Sequence, residues 1–335
     1  MHVAWVVLGL SFLVLWHELG HAAVARVLRL QWTDLSFGFG PTVVSRTWRG
    51  VRWRLGLIPF GGFVRVSQLS LRSDEPGRFR ARAVVSRVLV LLAGSGANFV
   101  LAAMLVTLSV LAWGQPTGKI VGLQVTKVSE QAASGELLVG DRIERVNDID
   151  LRSVGDLQRA LRGGGVAKVE LLRGGTAVQL MIPPVQRGNI FGLGARYVAV
   201  PEVLEPSLAQ ALAAGGSYPF LQSAELLRNT SAMLLPDSGV RPVTPVGLAD
   251  RVSRTGAWDG RRIFDFAAML SVVVGLFNLL PIPGLDGARL ALEAVETMRR
   301  KRVSIRWALY VQVLGAVALF VLWVGILWLD LSVGR

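Results

Sequence analysis

Four long stretches of the chain are almost free of charge: residues 3–25, 88–113, 266–285 and 307–329, with Glu18 the one formally charged residue among them. Each reaches the ~20 residues that a helix needs to cross about 30 Å of hydrocarbon, so the pattern predicts four transmembrane helices. The first run lacks a basic leading region and exceeds a typical signal core; it is expected to persist as a mature helix. Between the runs the periodicity changes. Residues 35–66 alternate apolar with Ser, Arg and Thr around a turn near Arg49-Gly50, and Gly61-Gly62 precedes Phe63-Val64-Arg65-Val66, which predicts a β-hairpin. Short apolar strands at Ile120–Val128, Arg142–Val146, Val166–Leu172 and Ala177–Ile182, with a helical stretch at Val154–Leu161, predict a compact soluble α+β module. Residues 206–235 have the spacing of an interfacial helix, and 236–262 form a connector punctuated by Pro and Gly. The expected divisions are 1–113, the first half of a membrane core; 114–200, the module; 201–262, helix and connector; and 263–335, the second half.

Composition agrees with a polytopic α-helical membrane protein: 52% of residues are hydrophobic and the mean hydropathy is +0.49. Charge then orients it. Residues 26–87 hold twelve Arg against Asp34, Asp74 and Glu75, and residues 286–306 hold six basic and three acidic residues. By the positive-inside rule both segments face the cytoplasm, as does the hairpin. The N-terminus and the module, whose segment 114–262 balances seventeen basic with fourteen acidic residues, are expected outside. The net charge of +13 is then mainly a topology signal with some attraction to the anionic bilayer surface, and no direct nucleic-acid partner is expected. Absence of cysteine excludes disulfides and thiolate metal ligands.

The candidate chemistry lies inside the first apolar run, at His17-Glu18-Leu19-Gly20-His21. Histidines at i and i+4 share one helix face, and an adjacent glutamate can serve as base to a metal-activated water: this is the H-E-x-x-H pattern. Ionisable groups are costly at membrane depth, which favours a functional reading over a packing one. His17 lies about 21 Å along its helix at 1.5 Å per residue, which sets the site toward the cytoplasmic side. The remaining histidine, His2, precedes the membrane, so a third ligand must be a carboxylate. Asp286 ends the third apolar run, after Asn278-Leu279-Leu280-Pro281-Ile282-Pro283-Gly284-Leu285, and the parallel direction of the odd-numbered helices brings it to the depth of the histidines. A helix-end cap is the alternative role for Asp286. In the second run, Gly94-Ser95-Gly96-Ala97-Asn98 implies close helix packing, with Asn98 needing a hydrogen-bond partner. The hairpin has two readings, a support on the membrane surface or an edge that pairs with an unwound substrate.

H-E-L-G-H in the first run together with N-x-x-P-x-P-x-L-D-G in the third resembles the site-2 protease family of intramembrane zinc metalloproteases, over nearly the whole chain. The segment Leu138 to Asn147 resembles the signature of PDZ domains, and its place between the second and third runs is similar to the bacterial regulator-of-sigma-E protease branch. One such module is found where the enterobacterial members carry two, and no nucleotide-binding domain of the CBS type follows the fourth run, unlike the sporulation branch. The resemblance implies Zn2+ held by His17, His21 and Asp286, Glu18 as catalytic base, Asn278 holding substrate backbone, and the hairpin with Gly38, Phe39 and Gly40 presenting the substrate as a strand. The implied reaction is cleavage of the transmembrane segment of a single-pass membrane protein, a trimmed anti-sigma factor or a signal-peptide remnant. A catalytically inactive PDZ-containing membrane scaffold is the competing class.

Overall fold

The computed structural model describes residues 2–30, 32–66, 81–129, 136–187, 190–233, 259–301 and 303–333. In chain order the elements are α1 (His2–Val27), β1 (Trp32–Trp48), β2 (Val51–Val66), α2 (Ala81–Trp113), β3 (Gln115–Val128), β4 (Arg142–Val146), β5 (Ile149–Asp150), α3 (Val154–Ala160), β6 (Ala167–Arg173), β7 (Thr176–Ile182), β8 (Val185–Arg187), β9 (Ile190–Gly192), β10 (Ala195–Leu204), α4 (Leu208–Met233), α5 (Gly260–Leu279), α6 (Asp286–Arg299) and α7 (Ile305–Val333). They divide into two units, one of Met1–Ser109, Ala209–Asp250 and Gly260–Arg335, the other of Val110–Leu208 and Arg251–Asp259.

Among the described residues, four helices are long and apolar enough to cross a membrane, over Leu8–Val27, Val84–Trp113, Gly260–Leu279 and Arg306–Ile326. Their inner faces use small residues. A Cβ on Gly20 of α1 would come within 2.6 Å of the Ala93 carbonyl and of Ala97 on α2, so only glycine permits this approach. Trp16 donates its indole N–H to the Ala97 carbonyl at 2.8 Å, and Ser271 of α5 donates to the Asn98 carbonyl at 2.8 Å. These bonds tie α1, α2 and α5 together at one level. The third predicted crossing ends earlier than its apolar run: α5 stops at Leu279, and residues 280–285 turn through Pro281, Pro283 and Gly284 (φ +99°). Proline lacks the N–H to continue a helix and forces its predecessor out of helical backbone. Asp286 therefore opens a separate helix, α6.

The predicted hairpin is present and is more elaborate than a two-strand ribbon. Arg49 and Gly50, both at positive φ, form the two-residue turn that lets Trp48 face Val51. Beyond the turn the strands fold over themselves: residues 42–48 pair with 51–56, while 34–37 pair both with 52–55 and with 62–65. The segment 52–55 thus has neighbours on both sides, and residues 42–48 and 62–66 form the edges. Asp34, buried near the middle of this sheet, accepts bonds from Thr33 at 2.9 Å and Arg54 at 2.6 Å. Its desolvation would raise its pKa, but these donors hold it below the ordinary carboxylate value.

The second unit is a sheet in the order β10-β3-β4-β6-β7, with β5 beside β4. Alternate residues of β3 and β6 (Leu123, Val125, Val169 and Leu171), with Ile143 and Val146 of β4 on either side of a register shift, join Leu157 and Leu161 in one hydrophobic core. Ser153 caps α3, accepting from the Asp156 N–H. The turn Asn147-Asp148 has positive φ at both residues, and the Asn147 side chain bridges the Lys168 N–H and the Ala160 carbonyl. Arg173 grips the buried Asp141 with two bonds of 2.8 and 2.7 Å. The helix expected over 206–235 is present as α4, whereas most of the connector expected over 236–262 lies outside the described residues.

Candidate metal centre

His17 and His21 sit one turn apart on α1, 4% and 8% exposed, with their rings edge to face. Their Nε2 atoms are 3.1 Å apart. Asp286 Oδ2 lies 3.0 Å from the first and 2.9 Å from the second. α6 delivers this carboxylate from its first turn, where the N-cap, Leu285, makes no side-chain bond; Asp286 is directed to the imidazoles instead of closing a helix end. α6 is held in turn by Arg87 of α2, which donates to Glu293 at 2.9 Å.

The donor set suits a cation. His21 Nδ1 is 2.6 Å from the Val90 carbonyl, which can only accept, so the ring proton of a neutral His21 resides on Nδ1 and Nε2 presents a lone pair. That lone pair faces a carboxylate oxygen and a second imidazole nitrogen, with at most one proton available among the three. Converging acceptors at these separations match the N/O ligand set of zinc, and three protein ligands are the number a catalytic zinc would take. Glycine makes room for them: a Cβ on Gly94 of α2 would lie 2.5 Å from His17 Nε2 and closer still to His21 Nε2.

Glu18 stands beside the pair and is held by the hairpin. The Val64 N–H, on the β2 edge, donates to Glu18 Oε2 at 2.8 Å, leaving Oε1 for a proton in transit. Close passage of β2 depends on Gly62, where a Cβ would meet the Ser36 carbonyl at 2.6 Å and Glu18 Cγ at 3.6 Å.

The other predicted residues are not joined to this cluster by hydrogen bonds. Asn278 donates its amide to the Val274 carbonyl one turn back, at 2.8 Å. Gly38 (φ +82°) and Gly40 (φ +87°) flank Phe39 where β1 bends, and Ser36 donates to the Gly38 carbonyl. Sequence reasoning missed Val64, which contributes only backbone, and it assigned Gly94 to packing. The signal for Gly94 was present: a glycine in an apolar helix that must pass two imidazoles.

With this geometry in view, the likeness to known proteins is informative. The family model for peptidase family M50 matches residues 5–322. A provisionally named zinc metalloprotease of Clostridium perfringens is 26% identical over 325 residues, covering 94% of each chain. Proteins similarly named in Rickettsia conorii and Mesorhizobium japonicum are each 28% identical, over 88% and 89% of both chains. The chain is a multi-pass membrane protein that belongs to peptidase family M50, the zinc-dependent metalloproteases of the site-2 type.

Proposed function

We propose that the protein is an intramembrane endopeptidase that hydrolyses the transmembrane segment of a single-pass membrane protein. The observation that carries this reading is the meeting of His17, His21 and Asp286, drawn from helices far apart in sequence, beside a glutamate held by a strand edge. His17, His21 and Asp286 hold zinc, which when bound supplies a Lewis acid that polarises the scissile carbonyl and lowers the pKa of a water toward ~7. Glu18, fixed through Oε2, takes a proton from the attacking water at Oε1 and delivers it to the leaving amide nitrogen. The exposed edges of the hairpin bind the unwound substrate by backbone pairing, with Gly38, Phe39 and Gly40 shaping the bend and Asn278 holding substrate backbone. The arginine-rich loops set the hairpin and the metal centre toward the cytoplasm and the module outside, in a bacterial cytoplasmic membrane. That module is PDZ-like and restricts entry to substrates already shortened by another protease, such as a trimmed anti-sigma factor or a signal-peptide remnant. The test compares membrane-protein fragments in cells making the native protein or Glu18→Gln. Fragments of single-pass proteins that disappear with the variant are expected; identical fragment patterns would overturn the reading.

A further inference from the structure

On α2, Val90, Gly94 and Asn98 recur every four residues and so line one stripe. All three address the imidazoles of α1. The Val90 carbonyl takes the Nδ1 proton of His21, Gly94 clears space for both rings, and the Asn98 side chain lies 3.2 Å from His17 Nδ1. Asn98 is fully buried. Its amide nitrogen faces His17, and its Oδ1 is buried without a hydrogen-bond partner among the described residues.

The orientation of that amide conflicts with the role of His17. A neutral imidazole carries one ring proton, so directing the Nε2 lone pair at a cation places the proton on Nδ1. There it needs an acceptor, and among the described residues Asn98 is its hydrogen-bonding neighbour. An amide nitrogen in that position sets donor against donor. A half-turn about the terminal bond of Asn98 exchanges its nitrogen and oxygen with little change in shape and turns the donor facing His17 into an acceptor. Oδ1 then accepts the Nδ1 proton, as the Val90 carbonyl does for His21.

We propose that Asn98 is the positioning residue for His17: its side-chain oxygen accepts the Nδ1 proton and commits Nε2 to the metal. The inference rests on the reading of His17 as a ligand and extends it to α2. Both imidazoles are then fixed in tautomer and orientation from one helix, by a backbone acceptor in one case and a side-chain acceptor in the other. Ligating histidines commonly depend on such partners, whose removal weakens metal binding by roughly 10- to 100-fold.

The experiment uses the full-length protein in detergent, stripped of metal and titrated with cobalt(II) against a chelator, with visible absorption as the readout. Asn98→Leu should lower cobalt affinity by about 10- to 100-fold. Asn98→Asp, whose carboxylate also accepts from Nδ1–H, should stay close to the native value. A leucine variant of native affinity, or an aspartate variant as impaired as the leucine one, would overturn the proposal. A second measurement needs no substitution. With only three histidines in the chain, ring nitrogen NMR of the zinc-loaded protein resolves each. His17 protonated at Nδ1 is expected, and protonation at Nε2 would overturn the assignment. Failure of the underlying reading looks different, because cobalt affinity would then be unchanged by His17→Ala.

Discussion

The metal centre separates the roles of its residues sharply enough to test one by one. Glu18 bonds to a backbone amide and lies outside the ligand trio, so Glu18→Gln should abolish cleavage while elemental analysis still finds one zinc per chain. Asp286→Ala removes the oxygen that meets both imidazoles and should lose metal and activity together; full zinc occupancy in that variant would falsify its ligand assignment. Gly94→Ala adds a single methyl group where the two Nε2 atoms leave no space, and should lower metal affinity at least tenfold, roughly the scale of disturbing a ligand's immediate support. His17, Glu18 and His21 were legible in the sequence because their chemistry is written in the spacing. Asp286 was legible by elimination and topology. Gly94 and Asn98 were not, because a small residue and an amide in an apolar helix read equally well as packing until a neighbour is placed against them.

Among the elements, the hairpin departs furthest from its sequence pattern. Its glycine turn and alternation were readable, but the folding of each long strand over itself depends on pairings between segments that no local period encodes. The consequence for substitutions is specific. Residues 52–55 are paired on both sides, so proline there should disrupt the sheet itself, seen as lower expression or earlier thermal unfolding. Val64→Pro removes the N–H that donates to Glu18; it should cost most of the cleavage rate while preserving zinc content, whereas Val64→Ala should cleave nearly normally. Equal turnover by the proline and alanine variants would show that this amide does not orient the base. The early end of α5 follows the same lesson from the other side: two prolines in the sequence were a correct signal, while the hydrophobic run alone extended the helix six residues too far.

At the scale of the whole molecule, the two units answer to different conditions. In the module, Arg173 holds the buried Asp141 carboxyl below its ordinary pKa, an effect only partly opposed by burial. A folded pKa lower than the unfolded one contributes stability above the unfolded value of about 3.9, and that stability is lost as pH falls through the folded value. Asp141→Asn should lower stability at neutral pH by roughly 1–2 kcal/mol, discounted because Arg173 is 34% exposed, and the gap between variant and native protein should close in acid. Hydrogen exchange in β6 across pH checks this, and a gap that persists unchanged below pH ~3 contradicts it. Deleting the module should leave zinc content intact and admit substrates with bulky external domains; if processing of long and short substrates is unaltered, the filter reading fails. Four of the module's strands, β3, β4, β6 and β7, were legible as short apolar runs, whereas β5, β8, β9 and β10 were not. The module's place within the chain also sets an order of events at the ribosome. His17 and Asp286 are 269 residues apart, so at 5–20 residues per second the metal centre stays incomplete for tens of seconds after its first ligand emerges. On the proposed ligand set, a nascent or prematurely terminated chain holds the histidines and the glutamate without the carboxylate, and is expected to enter the bilayer unable to cut its neighbours.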